Sequence, residues 1–165
     1  EGRRLAPTPE CRGEEPTLPQ TEGPFYTPST PRKSNFLADA KGERVVLEGR
    51  VLDTRCRPVA GAIVDLWHAD AASAYDNSGF RLRGHLLADA GGCYRFETIV
   101  PGYYPGRTRH FHVKVGAPGQ RRVLTTQLYF PGEPGNERDG LYRRELLLAL
   151  ERPAAIARFD FVLRA

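Results

Sequence analysis

The chain contains no methionine and only one tryptophan among its 165 residues. Nothing in it approaches the apolar run of about 18 or more residues that a membrane-spanning helix requires. Basic residues outnumber acidic ones by 24 to 20, yet the cations are scattered, with no basic block and no nucleic-acid motif. These absences argue against a membrane or a nucleic acid as partner. The net charge of +4 sets up at most a mild field favouring an anionic small molecule. Internal repeats and low-complexity tracts are missing as well. Three cysteines (Cys11, Cys56 and Cys93) are too few for a disulfide scaffold and allow one bridge plus one thiol, in three pairings. Without Met the chain has no initiator, which leads to the expectation of a removed segment, an export signal being one kind, though none is visible.

What is present is turn-forming: 17 Gly and 14 Pro, with few long helical periodicities. The length suits a single domain with a sizeable core. Residues 1–20, poor in apolar side chains, read as an extended arm without its own core, and residues 21–165 as one domain. Alternating apolar stretches predict strands at 44–52, 61–67, 83–88, 93–99, 109–115, 123–130 and 156–163. The DAGG turn between 83–88 and 93–99 predicts a hairpin, and GLYRRELLLAL (140–150) predicts the one short helix. The pattern implies an all-β antiparallel β-sandwich with long loops.

RTRHFHVKV carries the chemistry. In an extended strand, His110 and His112 leave the same face with roots roughly 6–7 Å apart, close enough to share a metal, while Phe111, Val113 and Val115 point into a core. Two tyrosine-bearing segments lie upstream: LWHADAASAYDNSG with Tyr75, and VPGYYPGR with Tyr103 and Tyr104. Tyrosinate and imidazole together suit a hard cation such as Fe(III), and a bound cation favours the phenolate over a free phenol of pKa near 10. A third histidine, His68 or His85, would instead complete a zinc or Fe(II) site.

These segments resemble the intradiol ring-cleavage dioxygenases. Trp67, His68, Ala69, Asp70 and Ala71 precede Tyr75 as in that family. Pro101, Gly102, Tyr103, Tyr104 and Pro105 match its P-G-x-Y-P turn, and Arg107 precedes His110 by three positions. TEGPFY (21–26) and TTQLYF (125–130) extend the likeness over roughly residues 20–140. The resemblance implies one Fe(III) per chain held by Tyr75, Tyr104, His110 and His112. It implies a catechol-type substrate opened between its hydroxyls with O2 to a cis,cis-muconate-type product. It gives Arg107, Gln127 and Tyr104 catalytic roles and places substrate against Pro24, Tyr103, Arg107 and Gln127. The P-G-x-Y-P register selects Tyr104, not Tyr103, as the ligand that substrate displaces. Only five residues separate Tyr104 from His110, so the pocket lip is expected to be short.

The first half of the chain also resembles prealbumin-like modules, many of them metal-free, which keeps a binding module as the alternative. Extracellular fungal members of the dioxygenase family are similar in the placement of two cysteines, which implies Cys11–Cys56 and a secreted protein, with a cytoplasmic one as the alternative. Oligomeric state and the particular catechol stay open.

Overall fold

The computed structural model describes residues 15–164, so Cys11 lies outside the described residues. Nine strands form two sheets packed face to face: β1 (Arg44–Asp53), β2 (Ile63–Trp67), β3 (Arg83–Leu87), β4 (Cys93–Ile99), β5 (His110–Gly116), β6 (Val123–Tyr129), β7 (Ala149–Glu151), β8 (Ile156–Arg158) and β9 (Phe161–Leu163). One sheet runs β4-β1-β8-β7 with β9 also on β1; the other runs β3-β2-β5-β6. This is the all-β sandwich that the alternation implies. Inward-facing Val64, Leu66, Phe111, Val113 and Leu128 meet Leu47, Phe96, Ala157 and Phe161 in one core.

Pairing departs from expectation in three places. The strands flanking the DAGG turn do not form a hairpin, because β3 pairs with β2 and β4 with β1. The turn itself is tight: Asp89 Oδ1 accepts the N–H groups of Gly91 and Cys93. It serves as a crossover between sheets, with β3 claimed by β2 and β4 by the long β1.

Residues 140–150 are not an α-helix. A single 3-10 turn spans Arg144–Leu146, and Leu147 is already extended. Leu146 and Leu148 are buried while Ala149 is exposed, a period of two that LLLAL satisfies as well as a helix would. The backbone is claimed by neighbours: Leu148 N–H donates to Tyr129 O, and β7 pairs with β8. Tertiary pairing outweighs the helical propensity of leucine here.

The terminal strand is split. β8 and β9 both run parallel to β1, against Val46–Glu48 and Val51–Asp53. Between them the chain presses onto Gly49, where an added Cβ would lie 1.8 Å from Phe159 O. Arg50 N–H turns to Asp160 Oδ1, and Tyr94 OH donates to Phe159 O. Cys56 is disulfide-bonded and Cys93 is not, which removes Cys93 from the bridge.

The segment from Pro16 to Leu37 positions the site. It bridges the sheets through Thr17, whose N–H reaches Val162 O, and lies along the β6 edge through Gln20 N–H to Thr125 O. It then crosses the outer face of β2-β5. There Tyr26 packs on Trp67 at 4.9 Å, and Thr30 Oγ1 donates to Asp65 Oδ1. An edge strand is thereby covered, and an outer sheet face becomes an interior.

Gly49→Ala should cost 3 kcal/mol or more, about the upper range for overpacking, because backbone cannot move aside. Gly140→Ala, with nothing within 4 Å of an added Cβ, should fall within about 0.5 kcal/mol of wild type. Urea unfolding of the two variants measures both; equal values would mean that the Gly49 approach is not tight.

Candidate metal centre and active site

Pleating of β5 separates its two jobs. Phe111, Val113 and Val115 enter the core, and His110 and His112 face outward under the covering segment, where both are almost fully buried. Their Nε2 atoms are 3.1 Å apart. Register extends this row across the sheet, placing Trp67 and Gln127 opposite His112 and Tyr129 opposite His110. The Trp67 indole stacks on the His112 ring at 5.0 Å and 11°.

Both imidazoles are held neutral. Burial first, then the like charges of Arg107 and neighbouring groups, brings His110 down to about 4 and His112 well below its ordinary value. His110 Nδ1–H donates to Thr108 O at 2.7 Å, leaving the Nε2 lone pair aimed at the cluster. His112 Nδ1 is buried without a partner.

Two loops deliver the tyrosines. The first, 68–82, is organised by carboxylates: Asp70 Oδ1 accepts the N–H groups of Ala72 and Ala74. Asp76 accepts those of Ser78, Gly79 and Arg81, which hold it down at about 2. Tyr75 OH comes to 3.4 Å from His110 Nε2. Burial, opposed by Arg107 and Arg83, raises the Tyr75 phenol to about 12. The second loop docks on the first through Gly102, whose N–H donates to Asp70 O. A Cβ at Gly102 would meet Ala71 O at 2.6 Å, so only glycine allows the two loops this close. Tyr104 reaches the cluster edge-on, 5.9 Å from Tyr75 ring to ring, and Phe25 closes the group at 4.3 Å from Tyr75 and 5.3 Å from Tyr104.

Tyr103 turns elsewhere. It is exposed, its hydroxyl donates to Glu133, and the Arg109 guanidinium lies over its ring. Pro24, also exposed, precedes Phe25 in the covering segment. Arg107 Nε donates to Asp139 Oδ2 at 2.8 Å, and Nη2 donates to Gln127 Oε1. Gln127 is wholly buried and gives its own N–H to Thr21 O.

The structure corrects the three-histidine alternative. His68 spends Nδ1 on Ala69 O and Nε2 on Thr98 Oγ1, both at 2.7 Å, and packs between Phe36 and Phe111. His85 pairs with Thr30 further along the sheet. Among the described residues no group of three or more His, Cys, Asp or Glu side chains is placed to hold a metal; convergence requires tyrosine.

Sequence reasoning missed several supporting residues. Tyr129 was findable, since it lies two residues past Gln127 and so shares its face; its hydroxyl donates to Gln20 Oε1. Arg83 was hidden in an ordinary strand. It is buried, and its guanidinium donates to Asp76 O, Phe25 O and Asn77 Oδ1, tying the Tyr75 loop to Phe25. Asp139 lies in a loop that carries no local signal.

A family model described as "Dioxygenase" matches residues 21–165. The chain is 38% identical over 110 residues to a protocatechuate 3,4-dioxygenase beta chain of Burkholderia cepacia, covering 56% of this chain and 47% of that one. It is 33% identical to a hydroxyquinol 1,2-dioxygenase of Rhizobium sp., over 77% of this chain and 52% of that one. The chain therefore spans about half the length of these curated relatives. The dioxygenase domain of a dioxygenase and carbohydrate-binding protein fusion from Streptomyces sp. SirexAA-E superposes with a TM-score of 0.88. That pair is 45% identical, over 92% of this chain and 99% of that one.

Arg83→Met keeps the bulk and removes the donors. Each carbonyl left bare should cost about 1–3 kcal/mol, and hydrogen exchange should quicken in 68–82 while β1 stays protected. Unchanged exchange in that loop would show that Arg83 does not hold it.

Proposed function

The chain belongs to the intradiol ring-cleavage dioxygenases, and from that premise we propose that it opens catechol-type aromatic diols between the hydroxyls. The reaction uses O2 and one ferric ion per chain and yields cis,cis-muconate-type acids. The observation that carries this is the convergence of His110 Nε2, His112 Nε2 and Tyr75 OH on one point, with Tyr104 beside them.

The donor set fits a ferric ion. Neutral imidazoles are the ligating form, and two phenolates cancel two of three positive charges. Burial alone keeps Tyr75 protonated, so a cation is the partner that makes its phenolate stable. Two neutral imidazole nitrogens and a phenol gathered face to face in a dry site are an arrangement an inert binding module has no need of. Tyr75, Tyr104, His110 and His112 would hold the ion, which would supply Lewis-acid activation of the catechol toward O2.

The remaining chemistry falls to side chains. Tyr104, held by ring edges, takes a substrate hydroxyl proton on its phenolic oxygen as it moves aside. Arg107, oriented by Asp139 and Gln127, sets its positive charge against the negative charge that develops on the ring. Gln127, buried and bonded to both Arg107 and Thr21, holds that guanidinium in place. Phe25, with Pro24 before it, walls the pocket and keeps water from the reacting carbons. The disulfide at Cys56 supports secretion into an oxidising compartment.

The ferric protein should be red to burgundy with one iron per chain. Tyr75→Phe and Tyr104→Phe should each alter the visible band and Tyr103→Phe should not; a colourless protein with stoichiometric zinc overturns the proposal. Arg107→Ala should keep iron and colour while ring opening slows by about 10²–10³-fold, the scale for one preorganised donor. Turnover near wild type in that variant would reduce Arg107 to a structural charge.

A further inference from the structure

Asp139 lies 32 residues from Arg107 in a loop between β6 and β7, and its side chain is only 2% exposed. Its Oδ2 accepts Arg107 Nε at 2.8 Å and the Thr108 backbone N–H at 2.9 Å, and its Oδ1 accepts Leu141 N–H at 2.9 Å. Thr108 is clamped a second time, since its Oγ1 donates to Asn136 Oδ1 at 2.7 Å and Asn136 Nδ2 donates to Phe130 O. The carbonyl of this same Thr108 accepts His110 Nδ1–H.

From this geometry we infer that Asp139 is a positioning residue that sets Arg107 and His110 together through one buried carboxylate. The inference rests on the proposed ring-cleavage function. One arm is direct: the carboxylate neutralises the guanidinium and fixes its Nε edge, so that Nη2 is presented to Gln127 and the substrate side. The other arm runs through Thr108. Holding its N–H fixes the residue, its carbonyl then fixes the protonated nitrogen of His110, and Nε2 is left as the lone pair facing His112. Without Asp139, Arg107 would be a half-buried cation with no counter-ion, and Thr108 could rotate its carbonyl off the imidazole.

The carboxylate suits both arms because it only accepts. Burial pulls the Asp139 pKa up, but the bonds from Arg107, Thr108 and Leu141 outweigh this and hold it below its ordinary value. An asparagine of the same shape has one accepting oxygen and no charge, so Asp139→Asn either surrenders both arms or keeps them as weaker, neutral bonds with its N–H2 pressed against Leu141 N–H.

The test uses the full chain in two states. In the metal-free protein, nitrogen NMR should show His110 as a single Nδ1–H tautomer, and Asp139→Asn should convert this into a mixture. In the iron-loaded protein, Asp139→Asn should lower kcat by about 10–100-fold with KM little changed, the usual scale for a group that orients ligands from behind. In an Arg107→Ala background the same change should cost clearly less, because the arm through Arg107 is already gone. Asp139→Glu, which keeps the charge but shifts it by a methylene, carries the same measurements if the asparagine variant does not fold. A folded variant with a lower melting temperature but wild-type kcat and an unaltered His110 tautomer would reduce Asp139 to a structural residue. Fully multiplicative losses with Arg107→Ala would also overturn the inference. Absence of ring opening in the wild type would overturn the functional reading alone, and the tautomer would then decide the role of Asp139.

Discussion

The 3.1 Å approach of His110 Nε2 to His112 Nε2 is tolerable only while the two rings are not both charged. Two imidazolium ions at that distance in a dry environment would repel by several kcal/mol even at an effective dielectric of about 20. Keeping them neutral requires burial, and burial on the outer face of a sheet requires a cover. The segment from Pro16 to Leu37 is that cover. Gly23 lies so near His112 that an added Cβ would touch its Cε1 at 3.4 Å, and Phe25 and Tyr26 bring aromatic surface onto Tyr75 and Trp67. The sandwich therefore has a second, smaller interior on its outside, and the site lies within it.

What could be read from sequence was whatever obeys a short-range rule. Alternation in RTRHFHVKV separates ligand face from core face, and it held residue by residue from His110 to Val115. The glycine of the P-G-x-Y-P turn likewise has a local meaning, which the 2.6 Å distance to Ala71 O makes concrete. Tyr75 and Tyr104 are brought to the histidines from segments 35 and 6 residues before His110. Nothing local in either segment demands this; the resemblance supplied it.

The failures share a physical cause, competition from distant partners. LLLAL satisfies a helix and a strand equally, and the open backbone groups of Tyr129 and β8 decided for the strand. The DAGG turn was recognised as a turn, but which strands it joins depends on β2 and β1 lying in different sheets. Asp139 was illegible for the same reason. An aspartate in GNERDG is an ordinary loop residue until Arg107 and Thr108 are folded against it.

The four candidate ligands are held with unequal stiffness, and the inequality matches the chemistry asked of them. His110 and His112 sit on a central strand paired on both sides, so their rings cannot shift without disturbing β2 and β6. Tyr75 is on a loop, yet that loop is fastened by Asp70, Asp76 and the buried Arg83. Tyr104 has the lightest attachment: a short turn closed by Arg107 N–H to Tyr104 O, and ring-edge contacts with Phe25 and Tyr75. Edge contacts between rings are worth only about 0.5–1.5 kcal/mol beyond area burial. A ligand that substrate must displace belongs at the position where displacement costs least. In the proposed reaction Tyr104 is that ligand, half-buried on its turn and in ring contact only with Phe25 and Tyr75 among the described residues.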